Sequence, residues 1–232
     1  MTGDAVEIFQ QMKTHGFRPS LYSYNYILSA FIKRNREDLV WVLFRDMVLH
    51  KIYLNVVTFN ILINVLCREG KLQRENYFLK KMEEAGYTPT VDTYNTLIDG
   101  NLKEGNLNQS LKLLAEMEVK GLCPDLRTYN IIIYSLCKKA KSDQSYNLLC
   151  KICERGLMFT EVTFNYLMNG FCKEGKINHG DQLFCKMLQM NLTPNVVTYN
   201  ILFHGHCEKG NVQETFWIWY EMQTVSLKPK FK

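Results

Sequence analysis

The sequence lacks the features that mark membrane-spanning, disordered and disulfide-rich proteins. It contains no run of 18 consecutive apolar residues, so we expect no part of it to span a membrane. Its eight cysteines among 232 residues are too few for a disulfide framework, which favours a reducing compartment. Hydrophobic residues make up 47% of the chain and charged residues 22%, a balance that predicts a folded protein with a substantial core.

Residue patterns that carry catalysis are missing as well. Cys150 and Cys153 have the spacing of a metal-ligand pair, but a structural zinc site needs four ligands and no second pair matches them. The sequence has no zinc-deaminase motif, phosphate-binding loop, metal-nuclease carboxylate cluster or nucleophile motif. We therefore predict no catalytic residue, no metal site, no cofactor and no enzymatic activity.

A tripeptide of Ser or Thr, Tyr or Phe, and Asn recurs every 35 residues. It stands at Ser23-Tyr24-Asn25, Thr58-Phe59-Asn60, Thr93-Tyr94-Asn95, Thr128-Tyr129-Asn130, Thr163-Phe164-Asn165 and Thr198-Tyr199-Asn200. The five prolines are separated by multiples of the same period. This periodicity predicts six repeats, preceded by the second helix of a partial repeat at residues 1–20 and followed by a tail at 231–232. The repeats cover residues 21–55, 56–90, 91–125, 126–160, 161–195 and 196–230.

Each repeat has the pattern of a helical hairpin. In the third repeat, Tyr94, Leu97 and Ile98 follow the i, i+3, i+4 spacing of one helix face, and Thr93 is a suitable N-cap. A second apolar series, closed by Gly121, predicts a second helix. Because a single hairpin cannot cover its own apolar faces, neighbouring hairpins must stack, which predicts an all-α superhelical array.

The first helix of each repeat has a second, polar stripe at repeat positions 2, 5, 9 and 13, which we call the polar face. Position 5 is Asn in every repeat. Position 13 is a cation in five repeats, at Lys33, Arg68, Lys103, Lys138 and Lys173, within a chain of formal net charge +5. Asn near the start of a helix and Lys near its end also have purely structural uses. Their recurrence in successive repeats favours a surface that binds a linear polyanion, with the cations contacting phosphates.

Residues 196–230 carry a specific set of family features. The segment Val196-Val197-Thr198-Tyr199-Asn200-Ile201-Leu202 is followed by Cys207, Gly210, Met222 and Pro229. This unit resembles the pentatricopeptide repeat family, in its P type because all six repeats have 35 residues. Tetratricopeptide repeats have 34 residues and a Trp, Leu-Gly and Tyr pattern that is missing here. The resemblance covers essentially the whole chain and implies a right-handed superhelical solenoid that binds single-stranded RNA, one base per repeat.

The resemblance also implies which residues read the RNA. Position 5 and the last residue of the same repeat select the base, here Asn25 with Asn55, Asn60 with Thr90, Asn95 with Asp125, Asn130 with Thr160, Asn165 with Asn195 and Asn200 with Lys230. Position 2 sandwiches the base, here Tyr22, Val57, Asp92, Arg127, Val162 and Val197. In the family, Asn at position 5 goes with pyrimidines, and Asn with Asp favours U. An Asn amide offers both a donor and an acceptor to a base edge.

Several expectations about function depend on the resemblance alone. It implies a pyrimidine-rich RNA partner, a role in organellar RNA processing, stability or translation, and a mitochondrial or, as second choice, chloroplast setting. We expect a monomer that works with other organellar RNA-processing proteins, although the N-terminus of this chain has no transit-peptide pattern. Asp92 and Arg127 depart from the aliphatic residue that the family prefers at position 2. Two alternatives stay open: a protein-interaction scaffold like tetratricopeptide arrays, and a truncated copy with little binding.

Overall fold

A computed structural model describes residues 7, 9–12, 14–154 and 156–224, without the side chains of residues 72, 73, 75 and 151. The chain forms two compact units, Met1–Cys123 and Pro124–Lys232. All regular secondary structure in the described ranges is α-helical, which confirms the predicted all-α fold class. No helix among these residues is long and apolar enough to cross a membrane.

Helices of nearly constant length alternate with short connections in both units. The first unit contains α1 (Leu21–Lys33), α2 (Glu37–Leu49), α3 (Val56–Arg68), α4 (Leu72–Glu84), α5 (Val91–Lys103) and α6 (Leu107–Val119). The second contains α7 (Leu126–Lys138), α8 (Ser142–Glu154), α9 (Glu161–Lys173), α10 (Ile177–Gln189), α11 (Val196–Lys209) and α12 (Val212–Thr224). Within each unit, every odd-numbered helix packs against the helix that follows it and against the next odd-numbered helix. The elements are thus stacked helical hairpins.

The aromatic residue of the recurring tripeptide anchors each hairpin. It is buried in all six cases, at Tyr24, Phe59, Tyr94, Tyr129, Phe164 and Tyr199. The Tyr24 hydroxyl donates a hydrogen bond to Asp46 Oδ2 at 2.7 Å, and the Tyr94 hydroxyl donates to Glu116 Oε1 at 2.8 Å. Burial raises the pKa of both phenols, and the carboxylate partner raises it further. Each bond therefore joins the first helix of a hairpin to its second helix and satisfies a phenol that is out of contact with solvent.

The residue at which α5 begins shows that one prediction was wrong. The N-cap of α5 is Thr90, not Thr93, because the helix already begins at Val91. The Thr90 hydroxyl accepts from the backbone N–H of Thr93, and the Thr93 hydroxyl accepts from the backbone N–H of Thr90. The same reciprocal capping box starts α3, α7 and α11. The tripeptide Thr is therefore the third residue of the helix, and the last residue of the preceding repeat is the cap.

Successive hairpins approach closely where a Cys faces a Gly. A Cβ added to Gly100 in α5 would lie 2.5 Å from Cys67 Sγ of α3, and one added to Gly205 in α11 would lie 2.9 Å from Cys172 Sγ of α9. Both cysteines are buried, and burial raises the pKa of Cys172 to about 12. The Cys172 thiol therefore stays protonated, and both cysteine side chains act as small groups that fill the gap between helices.

We expect Gly100→Ala to lower the free energy of unfolding by about 1–3 kcal/mol, because the added methyl group overpacks the contact with Cys67. Gly180→Ala is the matched control. A Cβ at Gly180 would lie 3.1 Å from the nearest atom, Cys172 Sγ, and alanine gains up to about 1 kcal/mol of helix propensity at either site. Urea unfolding followed by circular dichroism measures both variants. Equal unfolding midpoints for the two would contradict the close contact.

Candidate nucleic-acid interface

On the polar face of the odd-numbered helices, the side chains at position 2 are exposed to solvent. At position 2, Tyr22 is 81% exposed and the three valines, Val57, Val162 and Val197, are 51%, 42% and 55% exposed. Asp92 and Arg127 are exposed at the same position. Exposure of an apolar side chain at this position in the first, second, fifth and sixth hairpins is unfavourable for an isolated surface and leaves the side chain accessible to a flat apolar partner.

The position 5 asparagines are less accessible than the sequence suggested. Three are buried, at Asn25, Asn95 and Asn165, and three are half-buried, at Asn60, Asn130 and Asn200. Four of them accept a hydrogen bond from the Thr hydroxyl of the next odd-numbered helix. The Oδ1 to Oγ1 distances are 2.8 Å for Asn25 and Thr58, 2.7 Å for Asn60 and Thr93, 2.8 Å for Asn130 and Thr163, and 2.8 Å for Asn165 and Thr198. Each of these asparagines therefore also joins two hairpins.

The last residue of each of the first five repeats is the N-cap of the following helix. Asn55, Thr90, Asp125 and Asn195 accept a hydrogen bond from a backbone N–H through the side chain, whereas Thr160 makes no such bond. Asn25 Nδ2 also donates to Asn55 Oδ1 at 3.1 Å, which brings the two predicted base-reading residues of the first repeat into contact. Lys230 lies outside the described residues.

The five predicted phosphate-binding cations are all exposed but differ in their partners. Arg68 Nη1 donates to the Ile32 carbonyl at 3.0 Å and lies 3.5 Å from Glu37 Oε1. Lys103 Nζ lies 2.6 Å from Asp99 Oδ2. For the remaining three, no acidic partner occurs among the described residues, namely Lys33, Lys138 and Lys173. These three lysines carry a positive charge that a polyanion can neutralise.

An aromatic pair lies on the same face in the second unit, and sequence reasoning gave it no role. Tyr134 follows Asn130 by one helical turn in α7 and is 48% exposed. Its ring centroid lies 5.1 Å from that of Tyr166 in α9, next to Asn165, with 57° between the ring planes. The pair offers an exposed aromatic surface between an amide and Lys138. A partner with flat rings would find a stacking surface there.

Cys150 and Cys153, the pair with metal-ligand spacing, lie on α8. Cys150 is half-buried and Cys153 is exposed, and no group of three or more His, Cys, Asp or Glu residues in the described part of the chain could hold a metal ion.

Family models match most of the chain. A model described as "PPR repeat family" matches residues 89–138, 125–173, 160–208 and 194–229, and one described as "Pentatricopeptide repeat domain" matches residues 2–34 and 42–101. Among curated proteins, a pentatricopeptide repeat-containing protein of Arabidopsis thaliana is 43% identical over 76 residues, 33% of this chain and 7% of that protein. A second from the same plant, named as mitochondrial, is 40% identical over 62 residues, 27% of this chain and 10% of that protein.

Solved structures show the same fold. The pentatricopeptide repeat protein PPR10 from maize is 26% identical and superposes with a TM-score of 0.74, covering 99% of this chain and 33% of that protein. PPR10 in complex with an 18-nucleotide psaJ RNA element superposes with a TM-score of 0.82 at 23% identity, covering 98% of this chain and 33% of that one. The chain thus spans about a third of the maize protein and a smaller part of the two Arabidopsis relatives.

Proposed function

Because this chain belongs to the pentatricopeptide repeat family, we propose that it binds single-stranded RNA through the polar face, with one base per repeat, and that it catalyses no reaction itself. One observation carries the proposal. In successive hairpins the same helix face carries an exposed position 2 side chain, a buried or half-buried Asn amide and, in three hairpins, a lysine without an acidic partner among the described residues. RNA is a polyanion with flat bases and hydrogen-bonding edges, and this set of groups matches each of those properties.

The base-reading pairs give the proposed RNA a pyrimidine-rich sequence. Asn95 with Asp125 selects U, and the pairs of Asn with Asn, at Asn25 and Asn165, select C or U. The pairs that end in Thr90, Thr160 and Lys230 have no assigned base. Lys33, Lys138 and Lys173 bind phosphates, because their ammonium groups have no acidic partner in the described residues. Tyr134 and Tyr166 add a stacking surface in the fourth and fifth repeats.

The cellular role that we propose is occupation of an organellar transcript, which protects it, remodels it or guides other processing proteins to it. We place the protein in mitochondria, with chloroplasts as second choice, and in monomeric form. One Arabidopsis relative is named as a mitochondrial protein. Six bases specify about one site in 4^6 when each repeat reads one base, so partners or further repeats must add specificity.

The test is a titration of the purified chain with U/C-rich and A/G-rich single-stranded RNA at several salt concentrations. We expect tighter binding to the pyrimidine strand, and we expect Asn95→Ala with Asn130→Ala to lower that preference about tenfold, because two donors to base edges are lost. The control is Asn108→Ala with Asn147→Ala, which removes an exposed Asn from the second helix of the same two hairpins. This control should keep the preference.

Two other results would replace the proposal. Equal and weak binding to both strands at low salt would leave a truncated copy with little RNA binding as the better account. No RNA binding, together with saturable binding of a peptide that the polar-face variants abolish, would favour the protein-interaction scaffold.

A further inference from the structure

The threonine at repeat position 3 has a single hydroxyl proton, and in four cases its nearest acceptor is the asparagine of the preceding hairpin. Thr93 Oγ1 accepts from the backbone N–H of Thr90 at 3.1 Å and donates to Asn60 Oδ1 at 2.7 Å. Thr198 Oγ1 likewise accepts from the backbone N–H of Asn195 at 3.1 Å and donates to Asn165 Oδ1 at 2.8 Å. The capping side chains are more distant acceptors, at 3.2 Å from Thr93 Oγ1 and 3.3 Å from Thr198 Oγ1, so the proton is directed to the asparagine of the preceding hairpin.

We propose that this threonine is a positioning residue that sets which half of the preceding Asn amide faces a base. Its hydroxyl holds Oδ1 of the Asn toward the next hairpin, so the amide presents its Nδ2 donors to the polar face. This inference rests on the proposed function and narrows it. A free Asn amide could offer a base either a donor or an acceptor, whereas this one offers only a donor. It therefore favours a base whose facing edge carries an acceptor, such as the O4 carbonyl of uracil, over a base whose facing edge carries an amino group.

The first two hairpins show why the opposite orientation is unfavourable. Asn55 Oδ1 accepts from Asn25 Nδ2 at 3.1 Å and from the backbone N–H of Thr58 at 3.0 Å. Rotating the Asn25 amide by half a turn would place its oxygen against the oxygen of Asn55 and would remove the acceptor of the Thr58 hydroxyl. Both losses involve buried or half-buried groups, where an unpaired polar atom is destabilising.

Thr163 offers the cleanest test of this role. Its neighbour Thr160 makes no side-chain cap bond, so Thr163 takes part in no capping box. The hydroxyl of Thr163 donates to Asn130 Oδ1 at 2.8 Å, and the side chain is fully buried. Thr163→Val keeps the shape of the side chain and removes this hydrogen bond, which frees the Asn130 amide to rotate.

The experiment uses the full chain and four six-base RNAs that differ only in the fourth base, the one opposite Asn130. For the unsubstituted chain we expect uracil to bind more tightly than adenine. For Thr163→Val we expect the ratio of these two affinities to fall about threefold to tenfold, the value of one hydrogen bond. The salt dependence of binding should stay unchanged, because no phosphate contact is altered. A purely structural Thr163 would change the affinity for all four RNAs together.

Matched variants separate the outcomes. Thr163→Ser keeps a hydroxyl and should keep the ratio, and Ser23→Ala should also keep it, because Ser23 occupies the same repeat position but bonds to Ser20 rather than to a position 5 Asn. Should Thr163→Val fail to fold, Thr93→Val gives the same comparison at the second base, through Asn60. A folded Thr163→Val with an unchanged ratio overturns this inference alone. An unsubstituted chain that does not distinguish uracil from adenine at this base also overturns this inference, whereas one that binds no RNA overturns the proposed function instead.

Discussion

Replacing Lys33, Lys138 and Lys173 by Gln is expected to weaken the binding of single-stranded RNA about a hundredfold at 0.1 M salt. Each phosphate that a lysine neutralises on a single strand contributes about 0.7 to the slope of log affinity against log salt concentration, so three lysines contribute about 2. At 0.1 M salt this slope corresponds to about two decades of affinity. Fluorescence anisotropy titrations between 50 and 300 mM salt measure both the loss of affinity and the change of slope.

The control for this variant carries the same change of net charge elsewhere. Arg45, Lys80 and Lys112 are exposed cations on the second helices α2, α4 and α6, away from the polar face. Their replacement by Gln should change the affinity less than threefold and leave the slope nearly unchanged, because screened charges far from the RNA contribute little. If both triple variants lost the same affinity, the protein would bind RNA through its overall charge, and the assignment of phosphate contacts to position 13 would be wrong.

The fold was predictable because its signals are local and repeated. The aromatic residues from Tyr24 to Tyr199 recur at 35-residue steps and are buried in every hairpin. Gly121, which was predicted to close the second helix of the third repeat, adopts a φ of 76° two residues after the end of α6. Gly105 likewise adopts a φ of 89° two residues after the end of α5. The cap of that helix was misplaced by three residues, because Thr90 and Thr93 are equally good capping residues and their reciprocal bonds are visible only once the helix start is known.

The contacts between hairpins were harder to predict, because their partners are 33 residues apart in sequence. Asn130 and Thr163 have this separation, and so do Cys67 and Gly100. Both contacts therefore arise from the packing of one hairpin on the next. The recurrence of an Asn and a Thr 33 residues apart in the sequence could have predicted the hydrogen bond between them. The ion pair between Lys103 and Asp99 could also have been predicted, since Asp99 precedes Lys103 by four residues on one helix face.

Phe164→Ala is expected to lower the free energy of unfolding by about 3–5 kcal/mol, the range for truncating a buried aromatic residue. Phe164 is fully buried, and its ring meets Phe159 edge to face with centroids 6.0 Å apart. The loss is a large share of a typical domain stability of about 5–15 kcal/mol. Because α9 packs against α7, α10 and α11, removal of the ring weakens the packing on both sides of the hairpin. Urea unfolding measures the change.

Truncation of Val162, two residues earlier on the same helix, should instead weaken RNA binding and leave the stability nearly unchanged. Its side chain is 42% exposed at position 2, so Val162→Ala should change the free energy of unfolding by no more than about 0.5 kcal/mol. Its affinity for RNA should fall about fifteenfold, because two methyl groups covered by a base are worth about 1.6 kcal/mol. Stability and binding would then be carried by different residues of one helical turn. A Val162→Ala variant that lost stability but kept its affinity would show that position 2 packs within the protein and does not contact RNA.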